Sequence, residues 1–231
     1  MLTTLTACVV NDERKEHQPA PVSNAAPAKN IIMIVGDGMG PAYTTAYRYF
    51  KDNPQTPEIE ATIFDGILVG RSSTNPAQVS GFVTDSAASA TALATGHKSY
   101  NGAIGVDANK VPVQSVLEYA KSIGKSTGFV VTSHINHATP ASYASHVPHR
   151  KQYNLIADQY IDNKINGQPV VDVMLGGGWK YFIRDDRDIT QEFQKQGYQY
   201  INDYAQLSSI NSDQVLGLFS DKGLPWALDD K

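Results

Sequence analysis

The sequence predicts an α/β protein with a mostly parallel central sheet sandwiched between helices. Short apolar runs of strand length alternate along the chain with segments of helical periodicity, the pattern of a parallel sheet covered on both faces. Two of these runs, 31–35 and 129–131, are continuous and rich in β-branched residues, as strands buried on both faces are.

Taken in order, residues 30–35 read as a buried strand that feeds the glycine-rich turn Gly36-Asp37-Gly38-Met39-Gly40. A helix over 41–50 follows, then a short strand at 67–70. Residues 87–94 are small and helix-favouring, opened by Ser86 and stopped by Gly96. Over 111–123 the apolar positions Val113, Val116, Leu117, Ala120 and Ile123 recur at helical spacing, and Gly124 ends the run. A second buried strand at 129–133 leads to a helix starting near Pro140, with Thr139 as its cap and Pro140 in its first position. Helices at 155–161 and 190–196 and strands at 170–175, 198–201 and 215–219 complete the alternation.

Composition sets bounds on function. The chain has 231 residues, 41% of them hydrophobic, and a net charge of −4 without any basic run, so nothing points to nucleic acid. No apolar stretch is long enough to span a bilayer, and no internal repeat is present. The single cysteine lies in Leu5-Thr6-Ala7-Cys8, which resembles the lipobox of a bacterial lipoprotein. On that reading residues 1–8 are the remnant of a lipoprotein signal. Residues 9–29, charged and then rich in Ala and Pro, form a flexible tether, and 30–231 belong to a single domain. Membrane attachment would run only through a lipid on Cys8, placing the protein in the bacterial cell envelope, either periplasmic or anchored. Only seven residues precede Cys8, fewer than a signal needs, which a start codon assigned too far downstream explains. A free cysteine in a disordered start is the alternative.

Three segments carry chemistry. Ser86 follows Asp85 at the start of a helix, where unpartnered N–H groups and the positive end of the dipole can hold an anion beside a nucleophilic oxygen. From this stretch alone, an N-cap serine without catalytic duty is the better reading. Asp37 emerges at the carboxyl end of a predicted strand, where open α/β sheets place ligands, though turn aspartates are common. Arg150, after His146-Val147-Pro148-His149, has a fork able to hold two phosphate oxygens, or is simply a solvated surface arginine. His134, His137, His146 and His149 cluster in sequence but match no metal-ligand spacing, which suits loop, outer-shell and helix-surface positions.

In order along the chain, Gly36-Asp37-Gly38-Met39-Gly40, Thr84-Asp85-Ser86-Ala87-Ala88, Ala94-Thr95-Gly96 with Asn101-Gly102, and His137-Ala138-Thr139-Pro140-Ala141 followed by Arg150 resemble the alkaline phosphatase family. The likeness runs from about Lys29 through Leu175-Gly176-Gly177-Gly178 and thins beyond. It implies an alkaline-phosphatase-like fold and hydrolysis of phosphate monoesters through a phosphoserine intermediate, with two zinc ions and one magnesium. By the same resemblance Ser86 is the nucleophile and a zinc ligand, Arg150 grips the phosphate, and Asp85 orients Arg150. Asp37 bridges a zinc and the magnesium, Thr139 ligates magnesium, and His137 stands near the magnesium where relatives carry Asp or His. A homodimer is allowed. The family's remaining Asp, His and Glu ligands have no counterpart before Lys231, so the sequence reads as the incomplete N-terminal part of such a domain, inactive by itself. The alternatives are a non-catalytic truncated remnant or a related phosphodiesterase or sulfatase. The sulfatase Cys/Ser-x-Pro-x-Arg setting is absent around Ser86, and a metal-free serine hydrolase would want a Gly-x-Ser-x-Gly elbow that is also absent.

Overall fold

The computed structural model describes residues 28–227. The chain divides into two units, 1–35 and 36–231. The expected signal remnant, most of the tether, and Cys8 lie outside the described residues. In the first unit, residues 28–35 have no strand or helix, and Ile31, Ile32 and Ile34 are exposed. The buried strand expected at 30–35 is therefore corrected. A strand exists only as a member of a hydrogen-bonded ladder, and the four-stranded sheet does not include this run.

The second unit opens with α1 (Pro41–Lys51), which has proline in its first turn and Arg48 and Lys51 in its last. α2 (Ile63–Ile67) is a single turn in which the Asp65 carboxylate accepts the Thr62 N–H at 2.7 Å. Ile67 closes that turn and residues 68–70 carry no strand, so the strand expected at 67–70 is also corrected. Local capping chemistry here outweighs a four-residue apolar run. α3 (Ser86–Thr95) is capped by Asp85 and ended by Gly96, where the sequence puts its stop. α4 (Val116–Ser122) starts later than the periodic run, because Ser115 and Glu118 form a reciprocal capping box that fixes its first turn.

The remaining elements build the sheet. They are β1 (Gly128–His134), α5 (Ala138–Ala141), α6 (Tyr153–Asp162), the short pair β2 (Lys164–Ile165) and β3 (Gln168–Pro169), β4 (Val173–Gly177), α7 (Ile189–Lys195), β5 (Gln199–Ile201) and β6 (Val215–Leu218). The main sheet has the order β1-β4-β6-β5, and every pairing within it is parallel. This is the α/β architecture that the alternating pattern implied, with the helices as flanking crossovers. β6 is buried along its whole length, as an inner parallel strand should be. Met174, Leu216 and Leu218 from the sheet pack in one core with Ile156 and Tyr160 of α6, Phe193 of α7, and Phe182. The fully buried Tyr160 hydroxyl donates to the Ile135 carbonyl at 2.8 Å, so its polar end is satisfied inside that core.

α5 begins two residues before the expected start. His137 is its N-cap, and Thr139 and Pro140 lie inside the single turn. Proline is tolerated there because an N–H in the first turn has no helical partner to lose.

Candidate active site

The site assembles at the N-terminus of α3. Asp85 caps the helix by accepting the Ala88 N–H on Oδ1 at 2.9 Å, which leaves Ser86 as the first helical residue with a half-buried side chain. The other Asp85 oxygen, Oδ2, accepts the Gly102 N–H at 3.0 Å and Arg150 Nη1 at 3.0 Å. The same Nη1 donates to Ser86 Oγ, also at 3.0 Å. Arg150 Nη2 donates to His137 Nε2 at 3.1 Å. One guanidinium thus ties together the helix cap, the serine hydroxyl and the start of α5.

Backbone bonds hold Arg150 in place. Its N–H donates to the Gly102 carbonyl at 2.7 Å, and Ile104 and Val147 exchange two bonds of 3.1 and 2.9 Å just beyond. Gly102 has φ +92°, and a Cβ there would lie 3.1 Å from the His149 ring, so the position calls for glycine twice over. Farther along α3, Thr91 Oγ1 donates to the Ala103 carbonyl at 3.0 Å and accepts the Gly105 N–H at 3.1 Å. The loop after α3 is therefore stitched both to the helix and to the segment carrying Arg150.

His137 forms the other wall. Burial and then the charge of Arg150 lower its pKa, against the pull of the Asp37 carboxylate, leaving a neutral ring whose Nε2 can accept from arginine. His134 packs edge-on against it with ring centroids 4.8 Å apart, and also meets Tyr153 edge-on and Tyr181 at a tilt. Burial, followed by repulsion from His137, pushes His134 down to about 4, so it too is neutral near pH 7. Its Nδ1 is paired with Asn136 Oδ1 at 2.9 Å. Gly178, at φ +104°, passes so close that a Cβ would lie 2.7 Å from the His134 Cβ.

Asp37 and Thr139, 102 residues apart in sequence, meet: Thr139 Oγ1 donates to Asp37 Oδ2 at 3.4 Å. Two oxygen donors of this kind suit a hard cation such as magnesium as part of its shell. Among the described residues, no group of three or more His, Cys, Asp or Glu side chains is placed to hold a metal ion. A zinc ion needs three or four ligands, so these residues do not by themselves form a zinc shell.

All six residues singled out from the sequence lie in two adjoining contact sets, Asp85–Ser86–Arg150–His137 and Asp37–Thr139. His146 lies in a loop, one of the positions suggested for the histidine cluster. It is half-buried, with Nε2 2.7 Å from Glu118 Oε1 and Nδ1 2.6 Å from the Gly105 carbonyl. His149 lies under Gly102. The aromatic wall of Tyr153 and Tyr181 was not anticipated, because no local pattern relates positions so far from His134.

The class defined here is an α/β protein in which a serine at a helix N-terminus is gripped by an arginine fork. An alkaline phosphatase family model matches residues 28–231. The chain is 51% identical over 201 residues to Alkaline phosphatase 3 of Bacillus subtilis, covering 87% of this chain and 44% of that protein. The solved structure of a cold-active alkaline phosphatase from the psychrophile Shewanella sp. matches with a TM-score of 0.79 and 55% identity, over 85% of this chain and 47% of that one. A TAB5 alkaline phosphatase histidine-to-aspartate variant with magnesium bound matches with a TM-score of 0.59 and 32% identity, over 66% of this chain and 43% of that one. The chain belongs to the alkaline phosphatase family, and it spans about half the length of the curated relatives it matches.

Proposed function

We propose that residues 30–231 form the N-terminal part of an alkaline-phosphatase catalytic domain that hydrolyses phosphate monoesters through a phosphoserine at Ser86. The observation that carries this reading is the Arg150 fork, 3.0 Å from both Ser86 Oγ and Asp85 Oδ2. Phosphate monoesters resist hydrolysis so strongly that the transition state must be stabilised chiefly by positioned charge. Arg150 supplies positive charge to the non-bridging oxygens, and Asp85 keeps the guanidinium turned toward the serine. The positive end of the α3 dipole, at whose first residue Ser86 sits, favours an anion there as well.

Two zinc ions and one magnesium remain part of the proposal, with Asp37, Thr139, Ser86 and His137 as this chain's contribution. When bound, such ions supply an activated oxygen nucleophile and charge neutralisation. The donors gathered among the described residues do not fill the zinc shells, so these residues alone are expected to lack turnover. The chain spans about half the length of its relatives, and the activity is proposed for a full-length protein that supplies the remaining ligands. The same reading places that product in the bacterial cell envelope, with Cys8 as a lipid site and a homodimer allowed. No helix among the described residues is long and apolar enough to cross a membrane.

Hydrolysis of p-nitrophenyl phosphate tests the reading. Turnover by the full-length gene product that is lost both with chelator and in Ser86→Ala supports it. Turnover indifferent to chelator would indicate a metal-free hydrolase, and none at all a non-catalytic remnant. Faster turnover of a diester or sulfate ester than of a monoester would point to the related phosphodiesterases or sulfatases.

A further inference from the structure

We infer that Asn101 is a positioning residue for the nucleophile, acting through the backbone on either side of Thr84; this rests on the reading of Ser86 as the phosphoryl acceptor. The Asn101 side chain lies against the segment that leads into α3. Its Oδ1 accepts the Asp85 N–H at 3.0 Å, and its Nδ2 donates to the Val83 carbonyl at 2.9 Å. The amide orientation is fixed by its partners, since an N–H can only donate and a carbonyl can only accept.

The side-chain amide imitates the neighbouring strand of a parallel ladder, in which one residue bonds the carbonyl before and the N–H after its opposite number. Residues 83–85 are in no strand, and this amide pairs them in place of one. Asn101 is itself anchored from both sides. Its own N–H donates to Ser80 Oγ at 2.9 Å, and the next residue, Gly102, bonds both Asp85 Oδ2 and the Arg150 N–H. The Asn-Gly pair therefore fixes three things at once: the backbone entering the nucleophile, the carboxylate that caps the helix, and the arginine facing Ser86. The N-terminus of α3 sets the alignment of Ser86 Oγ, and a misplacement of about 1 Å at a reacting atom can cost about 100-fold in rate.

The test uses two variants in the full-length gene product. Asn101→Leu keeps the approximate shape and removes both bonds, whereas Asn101→Asp keeps the acceptor for Asp85 and loses the donor to Val83. Amide exchange at Asp85, the melting temperature, and kcat and KM for p-nitrophenyl phosphate are read together. Asp85 exchange is expected to accelerate more in the leucine variant than in the aspartate variant. kcat in the leucine variant should fall by about 10- to 100-fold with KM within about threefold, the sensitivity expected of a misaligned nucleophile. A melting temperature within about 4 °C of wild type separates this from general destabilisation. Unchanged Asp85 exchange overturns the inference, as does a kcat loss that follows the melting temperature and recovers on cooling. If Ser86→Ala retained turnover, the phosphatase reading would fail instead, and the Asp85 exchange rates alone would decide whether Asn101 holds this backbone.

Discussion

Arg150 makes three side-chain hydrogen bonds, to Asp85, Ser86 and His137, and its side chain is only 20% exposed. A planar fork can serve three acceptors at fixed angles, whereas an ammonium presents a point charge without that geometry. Arg150→Ala should weaken binding of inorganic phosphate by about 10- to 100-fold, the scale of one or two charged hydrogen bonds, and Arg150→Lys should recover only part of it. Isothermal titration checks this, and equal affinity in all three proteins would contradict the role. These residues were legible in the sequence because serine, aspartate and arginine declare their chemistry by type. Asn101 was visible only as half of an Asn-Gly pair, since its contribution lies in bonds to main-chain atoms at 83 and 85, which no side-chain pattern encodes.

Element boundaries followed caps more closely than periodicity. In α4 the apolar spacing begins at Val113, yet the helix begins at Val116, because the Glu118 carboxylate accepts the Ser115 N–H at 2.7 Å while Ser115 Oγ accepts the Glu118 N–H at 3.1 Å. Ser115→Ala should lower the unfolding free energy by about 1–2 kcal/mol, the cost of a lost N-cap. A shift of the urea midpoint at constant m-value would record it, and an unmoved midpoint would show that the box contributes nothing. The parallel strands at 128–134, 173–177, 199–201 and 215–218 were legible to within three residues at each end. The runs at 30–35 and 67–70 misled for one physical reason: apolar character states a preference for burial, and strand formation also needs a neighbour to complete the ladder.

Over the whole molecule, the Glu118–His146 pair ties α4 to the segment leading to Arg150. Burial opposes the charged imidazolium, but the Glu118 carboxylate and the Gly105 carbonyl outweigh it, so the His146 pKa rises above its ordinary 6.5. Burial would raise Glu118, yet the His146 ring and the Ser115 N–H hold it below its ordinary 4.5. The histidine's contribution to stability is complete below the unfolded value of 6.5 and is lost as pH climbs through the raised folded value. The carboxylate's contribution is complete above 4.5 and is lost as pH drops through the depressed one. Stability from this pair should therefore peak between those two pH values. In His146→Gln the decline on the alkaline side should flatten, as denaturant midpoints taken across pH would show; curves of identical shape would remove the pair from the account. The sheet and the serine–arginine contact belong to this chain, whereas the metal shells need donors that its described residues do not gather.

The most direct measurement is an acid quench of the full-length gene product during turnover of p-nitrophenyl phosphate, followed by peptide mapping. A phosphoryl group on Ser86, absent in Ser86→Ala, is the predicted result. Steady turnover with Ser86 unmodified, or with the phosphoryl group on another residue, would contradict it.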